Sequence, residues 1–561
     1  MFRVQNCAME GFQYDREIEY MTEIIKNILY FAVLEEESPK TLKHTRHVHY
    51  FNIDEELIYL NYYFDFGPLD ISCLYKYCCK LNSCLQYVHG SKRVVHYTTS
   101  NPMRRVNAAC LMGCYMIIYL QWNPKDVYRT LLSTGGPFKQ FMDASQGFSH
   151  YTINILDCLN AVRKALSFNF FDFKDFNHTE YDLYNKLQNG DMNWLIPRKF
   201  LAFIGPTDNI SINSLPPDYY LKYFLENDVK TVVRLNNQLY DSSVFTNAGI
   251  EHHELFFPDG TIPTKQILLR FLELSENARA AIAVHCKAGL GRTGSLIGAY
   301  IIKHYRMTAH EAIAWLRICR PGSVIGQQQG WLEKIEPWLW HQGRDYRIRH
   351  FGNEQKIPHH NYGIYSKVWP VERAKLDRHI RKRIVETRTN LSKPNRANSP
   401  KSNARPRTSS VNRVQQNAEN HGQSNRGFSN TSTDGKFLNP SLQPKQLPRL
   451  KDRLIRDLTR NSKFVDISQR SDKTSDAKSV LAKQRKRIQS VSRERTVDKK
   501  NLPRMEKSFV QNLEQTQGDR LNDIKAKRFV SENKQVKSVP GTLKKPQTNF
   551  NWMHSRPQYT P

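Results

Sequence analysis

The sequence predicts an α/β fold: two similarly built domains at 1–170 and 199–350, a connector at 171–198, and a basic, mostly disordered tail at 351–561. Three observations predict it. Strand-like and helix-like stretches alternate up to about residue 345. One strand–loop–helix passage occurs twice. The charge is gathered at one end: residues 371–561 carry 44 Lys/Arg against 17 Asp/Glu, or +27 of the chain's +30, and only 8 of its 63 aromatic side chains. A segment with so few aromatic groups and so much charge cannot bury enough apolar surface to offset its ordering entropy. The first 370 residues, with 39 basic and 36 acidic side chains, are near neutral and long enough for two ordinary cores.

In chain order, β-branched and aromatic residues mark strands at 47–53, 57–63 and 93–97, and apolar residues at helical spacing mark helices at 69–85 and 107–120. The polar stretch 172–191 forms the connector. The pattern resumes with strands at 230–235 and 281–285 and helices at 263–278, 294–305, 307–318 and 330–340. The last of these turns Trp331, Leu332, Ile335 and Leu339 inward. Val95-His96-Tyr97 leads into the helix at 107–120 as Val284-His285-Cys286 leads into that at 294–305, so the first copy carries Tyr97 where the second carries Cys286.

Several classes drop out. The longest strongly apolar run, 110–120, is far short of the ~20 residues that cross a bilayer, so no membrane insertion is expected. The start Met1-Phe2-Arg3-Val4-Gln5-Asn6 has no charged residue leading into an apolar stretch, and no secretory signal is expected. All ten cysteines precede Arg320 and none forms a Cys-x-x-Cys pair, so the expectation is an intracellular protein with reduced, mostly buried thiols and no metal.

The chemistry concentrates at His285-Cys286-Lys287-Ala288-Gly289-Leu290-Gly291-Arg292-Thr293-Gly294. A cysteine, five residues and an arginine between a buried strand and a helix start make an anion cradle. Loop N–H groups converge there, and the helix N-terminus adds positive potential. Gly289, Gly291 and Gly294 let the backbone turn tightly and approach a ligand closely. Arg292 can grip two oxygens of a tetrahedral anion, and in that field Cys286 should ionise below the ~8.5 of a free thiol. Thr293 reads either as a hydrogen-bond donor to the thiolate or as a helix cap. His285 is expected to fix the loop rather than move protons.

This loop resembles the protein-tyrosine-phosphatase signature, and taken whole it resembles the cell-division-cycle-fourteen family of dual-specificity protein phosphatases. Phe256-Phe257-Pro258-Asp259-Gly260 is similar to that family's acid loop. Arg320-Pro321-Gly322-Ser323-Val324-Ile325-Gly326 with Gln327-Gln328-Gln329 is similar to its glutamine loop, with Gln327 where Pro is usual. Asp65-Phe66-Gly67-Pro68-Leu69 and Asn189-Gly190-Asp191 with Asn193-Trp194 match its first domain and connector, and the likeness spans about residues 10–345. It implies two tandem dual-specificity-phosphatase-like domains, the first degenerate and the second catalytic.

By residue type alone Asp259-Gly260 more commonly means an exposed turn; the resemblance makes Asp259, 27 residues before Cys286, the general acid and then base. It makes Gln328 and Gln329 orienters of the hydrolytic water. It also implies an acidic groove at Asp182, Asn185 and Asp191, with one family acid replaced by an amide. The implied partners are phosphoproteins at Ser/Thr-Pro sites, and the implied setting is mitotic exit, cytokinesis or centrosome and cilium function, in nucleus or cytoplasm.

Two rival readings stand beside this one. A phosphoinositide phosphatase shares the His-Cys-Lys-Ala-Gly start, but Leu290 replaces the second loop lysine that would meet ring phosphates. A scaffold would use the basic tail to bind microtubules, nucleic acid or other acidic partners. Clusters at 378–383 and 483–487 are candidate import signals, and Ser399-Pro400 a candidate kinase site.

Overall fold

A computed structural model of the chain describes residues 17–35, 42–88, 92–147, 149, 151–209, 215–375 and 515–537. The described residues through Trp369 and those from 515 onward belong to one compact unit; of a second, Pro370–Asp457, residues 370–375 are described.

The first domain runs β1 (Ile18–Ile25), β2 (Leu29–Leu34), β3 (Val48–Phe51), α1 (Ile71–Val88), β4 (Arg93–Thr99), α2 (Pro102–Leu120), α3 (Pro124–Leu132), β5 (Phe141–Met142), β6 (Thr152–Ile153) and α4 (Ile155–Ser167). Its sheet has the order β1-β2-β4-β3, with β1 antiparallel to β2 and the other pairs parallel. β2 is buried at all six positions, which is why it reads as an unbroken apolar run rather than an alternation. Asn101 caps α2 by accepting from the Met103 and Arg104 amides, and Pro102 gives up an N–H that the first turn leaves unpaired anyway.

The second domain follows α5 (His178–Tyr184) with β7 (Met192–Ile196), β8 (Phe200–Phe203), α6 (Asp218–Glu226), β9 (Val229–Arg234), α7 (Ser243–Thr246), β10 (Glu251–Glu254), α8 (Lys265–Asn277), β11 (Ala281–His285), α9 (Gly291–Tyr305), α10 (Ala309–Cys319) and α11 (Gln327–Phe351). Its sheet order is β10-β9-β11-β8-β7, with β7 antiparallel to β8 and the rest parallel. Read from the antiparallel edge, β7-β8-β11-β9 repeats β1-β2-β4-β3 in order and sense. The central strand of each sheet feeds a long helix, β4 into α2 and β11 into α9. The internal likeness of the sequence is thus a likeness of topology.

The structure departs from the sequence reading in three places. Residues 57–63 are not a strand: the Asp65 carboxylate accepts from the Tyr62 and Tyr63 amides (2.8 Å each) and the Tyr59 hydroxyl, folding the stretch into a turn. α11 starts three residues before the expected 330–340 helix and runs eleven residues past its end. The expected tail is ordered at two points. At the first, Tyr365 is buried, its carbonyl accepting the Asn177 amide and its hydroxyl the Trp194 amide. At the second, α12 (Gln517–Lys537) packs on the second domain. The clusters at 378–383 and 483–487 and Ser399 lie outside the described residues.

Candidate active site

β11 is buried along its whole length and ends at His285, and α9 starts at Gly291, with only five residues between them. The intervening loop is held open by its own carbonyls. The Gly205 amide donates to the Lys287 carbonyl (3.1 Å), while Arg320 donates to the Ala288 carbonyl (3.2 Å) and the Gly289 carbonyl (2.8 Å). In planar trans peptides the N–H opposes the C=O, so the amides of Ala288, Gly289 and Leu290 face the other way, into the cradle. Gly289 has φ +70°, and a Cβ there would collide with the Phe203 carbonyl. Only glycine fits.

Cys286 and Arg292 are both 3% exposed. Burial pushes the Cys286 thiol up, but the Arg292 guanidinium and the hydroxyl and amide of Thr293 more than offset it, and the net shift is downward. The Thr293 hydroxyl has no other partner among the described residues. Arg292 donates through Nη1 to the Phe257 carbonyl (3.0 Å) and meets Asp259 Oδ1 through Nη2 (3.0 Å). Its buried Nε finds no partner among the described residues, which leaves a donor for an anion. His285 hydrogen-bonds the Cys286 carbonyl through Nδ1 (3.0 Å) and the Tyr240 hydroxyl through Nε2 (2.8 Å). Burial pushes it down to about 3, so it stays neutral and braces the loop.

The acid loop follows β10. Gly260, at φ +71°, turns the chain back, and the side chains of Gln327 and Gln328 donate to the Gly260 (2.9 Å) and Thr261 (3.1 Å) carbonyls. Gln328 also lies against the cradle, since a Cβ on Gly291 would come within 2.9 Å of its Oε1. Gln329 differs. Its Oε1 accepts from Arg317 (2.5 Å) and its Nε2 donates to the Gly326 carbonyl (3.2 Å), so both its polar atoms are engaged within the fold.

Asp182, Asn185 and Asp191 line one cavity of about 410 Å³. None stands free. Asp182 takes Lys76 (2.8 Å) and the Ser72 hydroxyl (2.7 Å), and Asn185 accepts from Asn193 (3.1 Å). Buried Asp191 takes Arg320 on one oxygen (2.9 Å) and Lys525 on the other (2.5 Å). Sequence reasoning missed Arg320, which ties this groove to the cradle; its place at the head of the expected glutamine loop was the available signal. Leu290, 1% exposed, packs with Ala144, Ala288 and Ile325, and Lys287 pairs with Asp519 (2.5 Å).

Two family models match the chain. One, described as the N-terminal half of dual specificity protein phosphatases, covers residues 23–165; the other, a DSP-PTPase phosphatase of polymorphic toxin systems, covers 208–306. Fold, loop and models together define the dual-specificity class of cysteine phosphatases. Over 333 residues the chain is 50% identical to dual specificity protein phosphatase CDC14A of Mus musculus, covering 58% of this chain and 55% of that protein. Over 311 residues it is 50% identical to mouse CDC14B, covering 54% and 64%. Over 317 residues it is 49% identical to CDC14C of Homo sapiens, covering 56% and 71%. The chain belongs to the CDC14 family of dual specificity protein phosphatases. It spans only a little over half the length of mouse CDC14A.

Proposed function

We propose that the chain hydrolyses phosphoSer and phosphoThr, preferentially before Pro, and also phosphoTyr, through a phospho-Cys286 intermediate. The observation that carries the reading is the convergence, in one buried cradle, of a thiol shifted downward, an arginine with an unspent Nε donor, and Asp259 against that arginine. The Cys286 thiolate attacks phosphorus in line, forming the S–P bond as the P–O bond to the substrate breaks. Protonated Asp259 delivers its proton to the departing oxygen. Water then attacks phosphorus, Asp259 takes its proton, the S–P bond breaks, and Cys286 leaves as thiolate. Loop amides and Arg292 hold the equatorial oxygens throughout. Gln328 is the candidate to orient the water.

Hydrolysis of an aryl phosphate by wild type and Cys286→Ser tests the assignment. The variant should lose on the order of 10³-fold or more in rate while still binding phosphopeptide; retention of a tenth of the activity would overturn it. Asp259→Asn should cost about 10²–10⁴-fold on alkyl phosphates and much less on aryl phosphates with good leaving groups. Equal losses on both would assign Asp259 a structural role. The reversal of proline-directed phosphorylation in cell division is proposed on family grounds. For the inositol-phosphate reading, apolar and buried Leu290 offers no charge to ring phosphates.

A further inference from the structure

The segment 515–528 is placed by its own sequence. The Thr516 amide and hydroxyl donate to Asp519 Oδ2 (3.1 and 2.8 Å), and the Asp519 amide donates back to Thr516 Oγ1 (3.3 Å), a reciprocal cap that starts α12. From there Leu521, Asn522, Lys525 and Ala526 are buried along one face, while Arg520 and Lys527 stay exposed on the other.

That buried face meets the catalytic machinery at successive points. The Gly518 amide donates to Asp259 Oδ2 (2.7 Å), the oxygen of the candidate acid that Arg292 leaves open. A Cβ at 518 would stand 2.8 Å from that oxygen and 2.8 Å from Lys287 Cβ, so only glycine lets the backbone come this close. Asp519 pairs with Lys287, and Leu521 closes over Ala288 and Leu290 of the cradle loop. Lys525 reaches Asp191 and the Ala288 carbonyl (2.9 Å), and Arg528 lies over the Tyr62 ring at 4.4 Å. At 1.5 Å per residue, Gly518 to Lys525 covers about 10 Å, from the acid loop to the cationic end of the groove.

A phosphopeptide needs the same ground. Its leaving oxygen must meet the Asp259 carboxyl, and its chain must cross the loop toward the groove. We propose that α12 is an autoinhibitory element that occupies the substrate path from Asp259 to Asp191, and that phosphoprotein binds only when it has left. The proposal rests on the phosphatase reading and adds its control. The contact is built to open: burial pushes the Lys525 ammonium down to about 8 against the pull of Asp191, so desolvation offsets much of what the ion pair contributes. Tethering keeps the helix present at high local concentration even so.

Full-length chain is compared with full-length Leu521→Asp/Lys525→Glu, with Gly518→Val as an independent way to expel the helix start and Lys527→Glu as an exposed control. Substrates are a phosphoSer-Pro peptide with a downstream Lys and an aryl phosphate. Both released variants should gain about fivefold or more in kcat/KM on the phosphopeptide, as the competent fraction rises. The control should match wild type. A synthetic peptide of residues 515–530 should restore inhibition of the released double variant, competitively with phosphopeptide. Unchanged or lower turnover in both released variants, or no inhibition by the added peptide, overturns the proposal. If no form of the chain hydrolyses either substrate, the phosphatase reading falls, and Cys286 alkylation by iodoacetamide decides the docking. Faster alkylation in the released variants supports it; equal rates overturn it.

Discussion

Cys286 is a thiol whose burial works against its ionisation, and its neighbours win. An apolar pocket alone would raise it; Arg292 and the two Thr293 donors reverse the sign. A pKa below the ordinary thiol range means thiolate is present at a pH where a free cysteine is still protonated. The rate of Cys286 alkylation should therefore rise and level off at lower pH than that of a model thiol, and Arg292→Ala should move the midpoint upward. A wild-type midpoint at or above the model thiol's would refute this account of the cradle. Of these residues, Cys286, Arg292 and Thr293 were legible in the sequence because they sit within one loop. Arg320 was not, because its partners at Asp191, Asn193, Ala288 and Gly289 are brought to it only by the fold.

At the scale of elements, the strand–loop–helix step does the chemical positioning. Gly289 combines a left-handed backbone with contact to the Phe203 carbonyl, so Gly289→Ala meets both strain and collision. It should lower stability by about 1–3 kcal/mol and cut turnover far more than the stability loss explains, checked by thermal unfolding beside aryl phosphate kinetics. β11 was readable because a strand paired on both sides by parallel neighbours is buried throughout, and here it is apolar up to its last residue, His285. β10 was not: Glu251-His252-His253-Glu254 is an exposed or half-exposed edge strand with no apolar alternation to betray it. The 57–63 stretch misled for the opposite reason, since its aromatic residues carry a strand's composition while the Asp65 carboxylate folds them into a turn. α11 was underestimated because its polar, charged end beyond Trp340 masks its length. Its close packing on α9 at Gly343, where a Cβ would strike the Lys303 carbonyl, has no periodic signature.

For the molecule as a whole, charge and aromatic content separate body from tail near residue 370, and the body does run past residue 350, where the second domain was expected to end. Ile364 and Tyr365 are buried, the Ile364 amide donates to the Phe170 carbonyl (2.7 Å), and the Tyr365 hydroxyl accepts from Trp194. Removing two such side chains exposes what they cover, at about 1.5–3 kcal/mol each. A chain ending at 350 should thus unfold at clearly lower temperature than one ending at 370, and the longer one should keep its aryl phosphatase activity. Equal melting temperatures would show that the strap adds nothing. Composition missed α12, because a short segment held by a neighbour's surface needs no core of its own.

Asp191 shares its two oxygens between Arg320 and Lys525, and this sharing makes binding at the groove an ion exchange. When a substrate cation replaces Lys525, one ion pair forms for each one lost. Dissolved salt weakens both sides alike, and their difference hardly moves. The intact chain should thus turn over a cationic phosphopeptide at a rate nearly indifferent to added potassium chloride, apart from the phosphate's own contribution. The Lys525→Glu form, which has nothing to exchange, should show a changed and steeper salt dependence. A charge in the tail would then act as a buffer, keeping the recognition of charged partners steady across ionic conditions.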